Sequence, residues 1–273
     1  MKLYSIASGS SGNCICVGHE KTHVLIDAGI SKKRIEEGLC HKNINPKDIN
    51  GIFITHEHSD HTKGLGVFVR KYNIPIYGTR ETLDYIRFQC NNISGTKGAM
   101  GNIDPDLFVE IEPDKKCILG DLVINPFNIY HDALHPVGYR IESDNKSVAV
   151  ATDMGHFDDY IINNLKNLDA VLIEANHDIR MLETGSYPYP LKQRILSDTG
   201  HLCNEMCGRL IDLILSNKMK KIALGHLSHE NNLPALAYES VRNEINLSDS
   251  EFHADDFSME VAKRETPSTY FEF

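Results

Sequence analysis

A surplus of basic residues is missing. The sequence has 28 Lys and Arg against 38 Asp and Glu, a formal charge of −10, which excludes a generally basic nucleic-acid-binding surface and leaves any anionic substrate to be drawn by a local cation. Also missing is an apolar stretch of the ~18–20 residues that a membrane helix needs. The opening MKLYSIASGSSGN lacks the basic and apolar regions of a signal peptide, so the expectation is a soluble, cytoplasmic protein with no membrane partner. The seven cysteines form no CxxC pair and read as reduced thiols. Cys203 and Cys207, four apart, make half a metal site at best. There is no Pro/Gly/Ser linker, charge block or internal repeat, so the 273 residues, enough to bury a substantial core, read as one domain spanning 1–273.

What the chain does have is a series of short apolar runs ending in small or polar residues: 22–29, 52–55, 147–153, 170–174 and 221–226. Each reads as a buried strand running into a turn. Between them, 31–39, 64–71, 81–90 and 204–217 place apolar residues three or four apart, as helices do. The order is mixed α/β, and residues with chemistry fall just after a strand's last apolar position, where loops are held by a rigid sheet. Residues 257–273 alternate apolar and polar positions and read as strands closing a sheet.

Fourteen histidines, several beside aspartates, point to metal. The strongest signal is Thr55-His56-Glu57-His58-Ser59-Asp60-His61, a strand exit followed by four potential ligands. In an extended segment His56 and His58 point the same way and reach one ion. If a helix begins at Ser59 or Asp60, then Asp60 and His61 turn toward a second position. Two divalent ions ~3.5–4 Å apart form a clamp for in-line displacement at phosphorus or addition to a carbonyl. Further candidate ligands, each after an apolar run, are His131, Asp153 and His226.

HxHxDH, a lone His, an Asp after a strand and a His after the last internal strand resemble the metallo-β-lactamase-fold hydrolases, as does the opening Leu25-Ile26-Asp27-Ala28-Gly29. Within that superfamily the Ala-Ser-Gly-Ser-Ser-Gly-Asn run at 7–13, His131-Asp132-Ala133, Asn176-His177-Asp178, Gly200-His201-Leu202 and His226-Leu227-Ser228 resemble the YycJ/WalJ branch, which is associated with nuclease activity on DNA ends. The resemblance implies a four-layer αβ/βα sandwich with the site along one edge of paired sheets. It also implies that His56, His58 and His131 hold one ion, that Asp60, His61 and His226 hold the second, and that Asp153 bridges them. A bridging hydroxide is the implied nucleophile, and Asp27 the implied support of a ligand histidine or its loop.

The expected cofactors are two divalent ions, zinc or manganese, with iron also compatible with the donor set. Counting Asp60 and Asp153 against them leaves a roughly dipositive site on an acidic protein. A phosphodiester's leaving oxygen needs a proton, and His201 is the candidate acid, oriented by Glu174 as the resemblance to ribonuclease Z suggests. The loop at 8–13 reads either as a phosphate cradle, with Ser10, Ser11 and Asn13 as substrate contacts, or as an ordinary turn. His177 is a further candidate contact. For holding a polymer, residues 187–194 interleave aromatics with base, and Lys63, Arg70, Lys71 and Arg80 form a second basic group; either set is equally a solvated face. The expected function is metal-dependent phosphodiester hydrolysis, as a DNA exonuclease with 5′ to 3′ direction implied by the resemblance. The rival is two-metal hydrolysis of a small ester, thioester or lactam, which the same ligands would serve.

Overall fold

Strand residues alternate between two faces, so a strand buried on both sides must be apolar throughout. In β10 (Lys146–Ala151) Val148 and Val150 enter one core while Ala149 and Ala151 enter another. The same split occurs in β11 (Ala170–Glu174) and β12 (Lys221–Gly225). It explains why these segments appear as uninterrupted apolar runs in the sequence.

The computed structural model describes residues 1–92 and 100–273. The first half builds a sheet from β1 (Lys2–Ala7), β2 (Cys14–His19), β3 (Thr22–Ile26), β4 (Ile49–Phe53), β5 (Ile76–Gly78) and β6 (Phe108–Glu110). Its outer face carries α1 (Lys32–Cys40), α3 (Leu65–Tyr72) and α4 (Arg80–Asn92), with the single turn α2 (Ser59–Thr62) after β4. The second half builds its own sheet from β7 (Cys117–Leu119), β8 (Leu122–Asn128), β9 (Val137–Ser143), β10, β11, β12 and β13 (Ser258–Val261). The helices packed on it are α5 (Asp159–Leu165), α8 (Asn204–Ile214) and α9 (Pro234–Leu247), and the short α6 (Ile179–Thr184) and α7 (Tyr189–Ile195) follow β11.

The strand orders are β14-β1-β2-β3-β4-β5-β6 and β13-β12-β11-β10-β9-β8-β7, where β14 is Ser268–Glu272. The facing sides meet in one core that joins Leu3, Val24, Ile26 and Phe53 of the first sheet to Ile124, Tyr139, Val150 and Leu172 of the second. The result is the expected four-layer αβ/βα sandwich. The C-terminal segment differs from expectation. Rather than closing one sheet, β13 pairs parallel with β12, and the chain then crosses so that β14 pairs antiparallel with β1. Helix α8 also stops at Ile214 rather than 217, because the backbone of Leu215 turns extended.

In each sheet the parallel strands, β3 to β6 and β10 to β13, point their C-terminal ends to the same edge. Asp27, Thr55, Asp153 and His226 all lie just beyond such ends. Asp27, Asp153 and His226 have left-handed backbones, with φ of 62°, 63° and 53°.

Candidate metal centre

The chain after β4 runs extended through His56 to His58, whose φ of −58° and ψ of 150° cap α2. This brings His56 and His58 within reach of His131 and turns Asp60 toward His226, while His61 groups both with Asp60 and His226 and with His56 and Asp153, its ring centroid 4.1 Å from that of His56. The turn is fixed from outside. Asn13 N donates to Asp60 O at 2.8 Å and Ala28 N to His61 O at 2.9 Å. Gly29 approaches so closely that a Cβ would lie 1.6 Å from Asp60 O.

Donor atoms of His56, His58 and His131 lie within 4.8 Å of one another, as do those of Asp60, His61 and His226. Between the two sets, Asp153 Oδ2 is 3.3 Å from His61 Nε2, and Oδ1 is 3.4 Å from His226 Nε2 and 3.9 Å from His131 Nε2. His56 Nε2 and Asp153 Oδ2 are buried without a hydrogen-bond partner. Two orphaned buried atoms aimed into one cluster are what a divalent cation would satisfy, and imidazole with carboxylate is a suitable donor set.

Supporting contacts select the tautomers. His61 Nδ1–H donates to Asp27 Oδ2 at 2.7 Å. Thr55 donates to both Asp27 oxygens, from N at 2.8 Å and Oγ1 at 2.9 Å, and its Oγ1 lies 3.0 Å from His56 Nδ1, leaving His56 Nε2 free to coordinate. His131 Nδ1–H donates to Gly200 O at 3.1 Å. Glu174 Oε1 accepts from Nδ1 of both His226, at 2.9 Å, and His201, at 2.8 Å, while Oε2 accepts from Met154 N and Leu202 N. Thr55 and Gly200 carry no signal in the sequence beyond adjacency to better candidates.

Burial opposes charge on every group here, and the outcome depends on neighbours. His61 and His226 overcome it because Asp153 and the other carboxylates face them; His226 is pushed up to about 10 and His61 well above its ordinary value. Their imidazolium charges in turn hold Asp60 and Asp153 well below the usual carboxylate range against the burial penalty. His201 and His226 bring Glu174 down to about 2 in the same way. Burial dominates at His56 and His131 and keeps both neutral. In the metal-free chain, protons on His61 and His226 therefore stand where cationic charge belongs. The charge balance differs from the dipositive expectation. Asp27 and Glu174 are buried beside Asp60 and Asp153, so four carboxyl groups rather than two surround the cluster, with burial pushing that of Asp27 up.

A cavity of about 340 Å³ opens over the cluster, lined by Ser10, Ser59, Arg194 and His201 with the candidate ligands other than the buried His56 and His61. His201 Nε2 makes no hydrogen bond among the described residues. Arg194, from the aromatic and basic segment, is held at the rim by Asp132 through Nη2 at 2.8 Å and through Nε. The other expected contacts are placed differently. Ser11 is exposed but outside this lining, and β2, not a helix, follows its loop. Asn13 is buried, with Oδ1 accepting from Gly9 N and Nδ2 3.1 Å from His61 Nε2. His177 is 1% exposed, its pKa lowered to about 4 by burial, and lies beside Asn176 rather than on the cavity. Asp178 caps α6, Cys203 caps α8, and all seven cysteines are free.

Residues 22–218 match the family model described as a beta-lactamase superfamily domain. Exodeoxyribonuclease WalJ of Streptococcus pneumoniae is 43% identical over 243 residues, covering 89% of this chain and 87% of that protein. Exodeoxyribonuclease YycJ of Bacillus anthracis is 39% identical over 237 residues, 86% of each. Among solved structures, the metallo-beta-lactamase fold protein YhfI of Bacillus subtilis superposes with a TM-score of 0.68 at 16% identity, over 98% of this chain and 99% of its own.

Proposed function

Because this chain belongs to the beta-lactamase superfamily and gathers His and Asp donors that could hold divalent metal at the sheet edge, we propose that it is a metal-dependent exodeoxyribonuclease hydrolysing phosphodiester bonds from DNA ends. What carries this reading is His201, held by Glu174 beside both donor sets, in a chain 43% identical to a protein named an exodeoxyribonuclease. In this reading His56, His58 and His131 hold one ion and Asp60, His61 and His226 the other, with Asp153 shared. Zinc and manganese suit these donors, and iron is compatible with them. When bound, such ions supply Lewis-acid polarisation of a phosphoryl oxygen and a nucleophile from water near neutral pH.

The chain's own residues do the rest. Glu174 Oε1 takes the Nδ1 proton of His201 as a hydrogen bond and directs Nε2 to the cavity, where it gives a proton to the departing sugar oxygen. Ser10 offers a hydroxyl to a non-bridging phosphate oxygen, and Arg194, already shared with Asp132, adds a fixed cation at the rim. The described residues contain no helix long and apolar enough to cross a membrane, and free cysteines accord with the reducing cytoplasm. A 5′ to 3′ direction is part of the proposal.

The test is turnover of end-labelled double-stranded and single-stranded DNA and RNA by metal-reconstituted protein, with Asp60→Ala as blank and a chromogenic β-lactam and a thioester in parallel. Metal-dependent release of nucleotides from DNA, lost in the blank, is the expected result. Hydrolysis of ester or lactam with every polymer left intact would overturn it.

A further inference from the structure

With four carboxyl groups around the cluster, three of them buried, retention of an anionic polymer calls for contacts beyond the metal site. A second cavity, of about 450 Å³, adjoins the first and shares His58 and Ser59 with it. That volume lies in the ordinary range for a bound small organic group, about 300–1,000 Å³. Its walls are chemically specific. Tyr85 and Gln89, four apart on α4, project from one helix face into it, and Tyr85 remains 40% exposed. Lys63, exposed at the end of α2, makes no ion pair among the described residues and lines the same space. Glu57, between two candidate ligands, uses Oε1 to accept from Leu134 N at 2.9 Å, whereas Oε2 is buried without a hydrogen-bond partner.

An aromatic face, an amide and a free ammonium match the parts of a nucleotide: the ring, its hydrogen-bonding groups and its phosphate. We infer that this cavity is a subsite for the nucleotide adjoining the one cleaved, with its base unstacked onto Tyr85, a base donor or acceptor at Gln89, and its phosphate at Lys63. The inference rests on the nuclease reading and deepens it. A paired base cannot lie on Tyr85, so the strand is taken with its end unpaired.

The test compares wild type, Tyr85→Ala, Tyr85→Phe and Lys63→Met on single-stranded DNA, on the same strand with an abasic unit next to the cleaved nucleotide, and on the small diester bis(p-nitrophenyl) phosphate. Tyr85→Ala is expected to raise KM for DNA on the order of ten-fold with kcat and small-diester turnover unchanged, and Tyr85→Phe to restore it. The abasic unit costs wild type a similar factor and costs Tyr85→Ala nothing further. Lys63→Met raises KM and flattens its salt dependence. An unchanged KM in Tyr85→Ala, or an abasic penalty equal in both proteins, overturns the subsite while leaving the nuclease standing. A wild type that cleaves no polymer overturns both.

Discussion

Glu174 and His201 meet at 2.8 Å through Oε1 and Nδ1, and the carboxylate is fully buried. The imidazole is thus aimed by a group that also holds the candidate ligand His226. Replacing His201 with Ala removes the proton donor but none of the proposed coordinating set. Turnover on DNA should fall ~10²-fold or more, with metal content by elemental analysis unchanged. Glu174→Gln should lose less turnover than His201→Ala, yet also weaken metal retention through His226, a combination that His201→Ala lacks.

Metal binding should release protons. In the metal-free chain His226 stays protonated up to about pH 10 and His61 is also raised well above its ordinary value, so at neutral pH an incoming cation must displace what they carry. Affinity therefore rises with pH below these values, by about ten-fold per pH unit for each proton displaced. Calorimetric titration between pH 6 and 8, in buffers of different ionisation enthalpy, measures the number released. Affinity independent of pH in that window would refute the charge arrangement described above.

Asp27 accepts three hydrogen bonds from His61 and Thr55. Asp27→Ala should weaken metal binding by about 10–100-fold, the usual cost of losing such a partner. Competition with a chelator reads this directly. Retention equal to wild type would show that Thr55 alone orients the two imidazoles.

Gly29→Ala tests how tightly the metal turn is seated. The added Cβ would fall 1.6 Å from Asp60 O, and backbone cannot step aside as a flexible side chain would. Overpacking of this kind costs about 1–3 kcal/mol, so chemical denaturation should show a lowered midpoint and metal content should fall with it. A nearly isosteric change at the exposed Ser11 serves as the control with neither effect.

Legibility in the sequence followed the range of the interactions. The run 170–174 coincides with β11 and the run 221–226 with β12 plus one residue, because burial on both faces makes their central positions apolar. The pairing of His56 with His58 ahead of the turn that carries Asp60 and His61 is also local, a matter of extended backbone giving way to one helical turn. By contrast, the Gly200 carbonyl on His131 joins residues 69 apart, and Glu174 reaches His226 across 52. Such pairs depend on which strands neighbour which, so neither the gathering of four carboxyl groups nor the burial of His177 had a local signature. The split of β13 and β14 between two sheets was hidden for the same reason, since alternation records that a strand has two faces but not which sheet it joins.

Three residues at the shared edge, Asp27, Asp153 and His226, sit in a backbone region that glycine occupies without penalty. Their side chains also concentrate charge where folding alone would have none, so folding and chemistry make opposing demands on the same three positions. A laboratory selection for heat resistance in the absence of substrate would meet this opposition first. Glycine at 153 or 226 relaxes the backbone in one step and erases the chemistry in the same step, so thermostable descendants of this chain should accumulate losses at the edge before any change in the core. Selection that screens activity alongside survival would instead confine its gains to the outer helices.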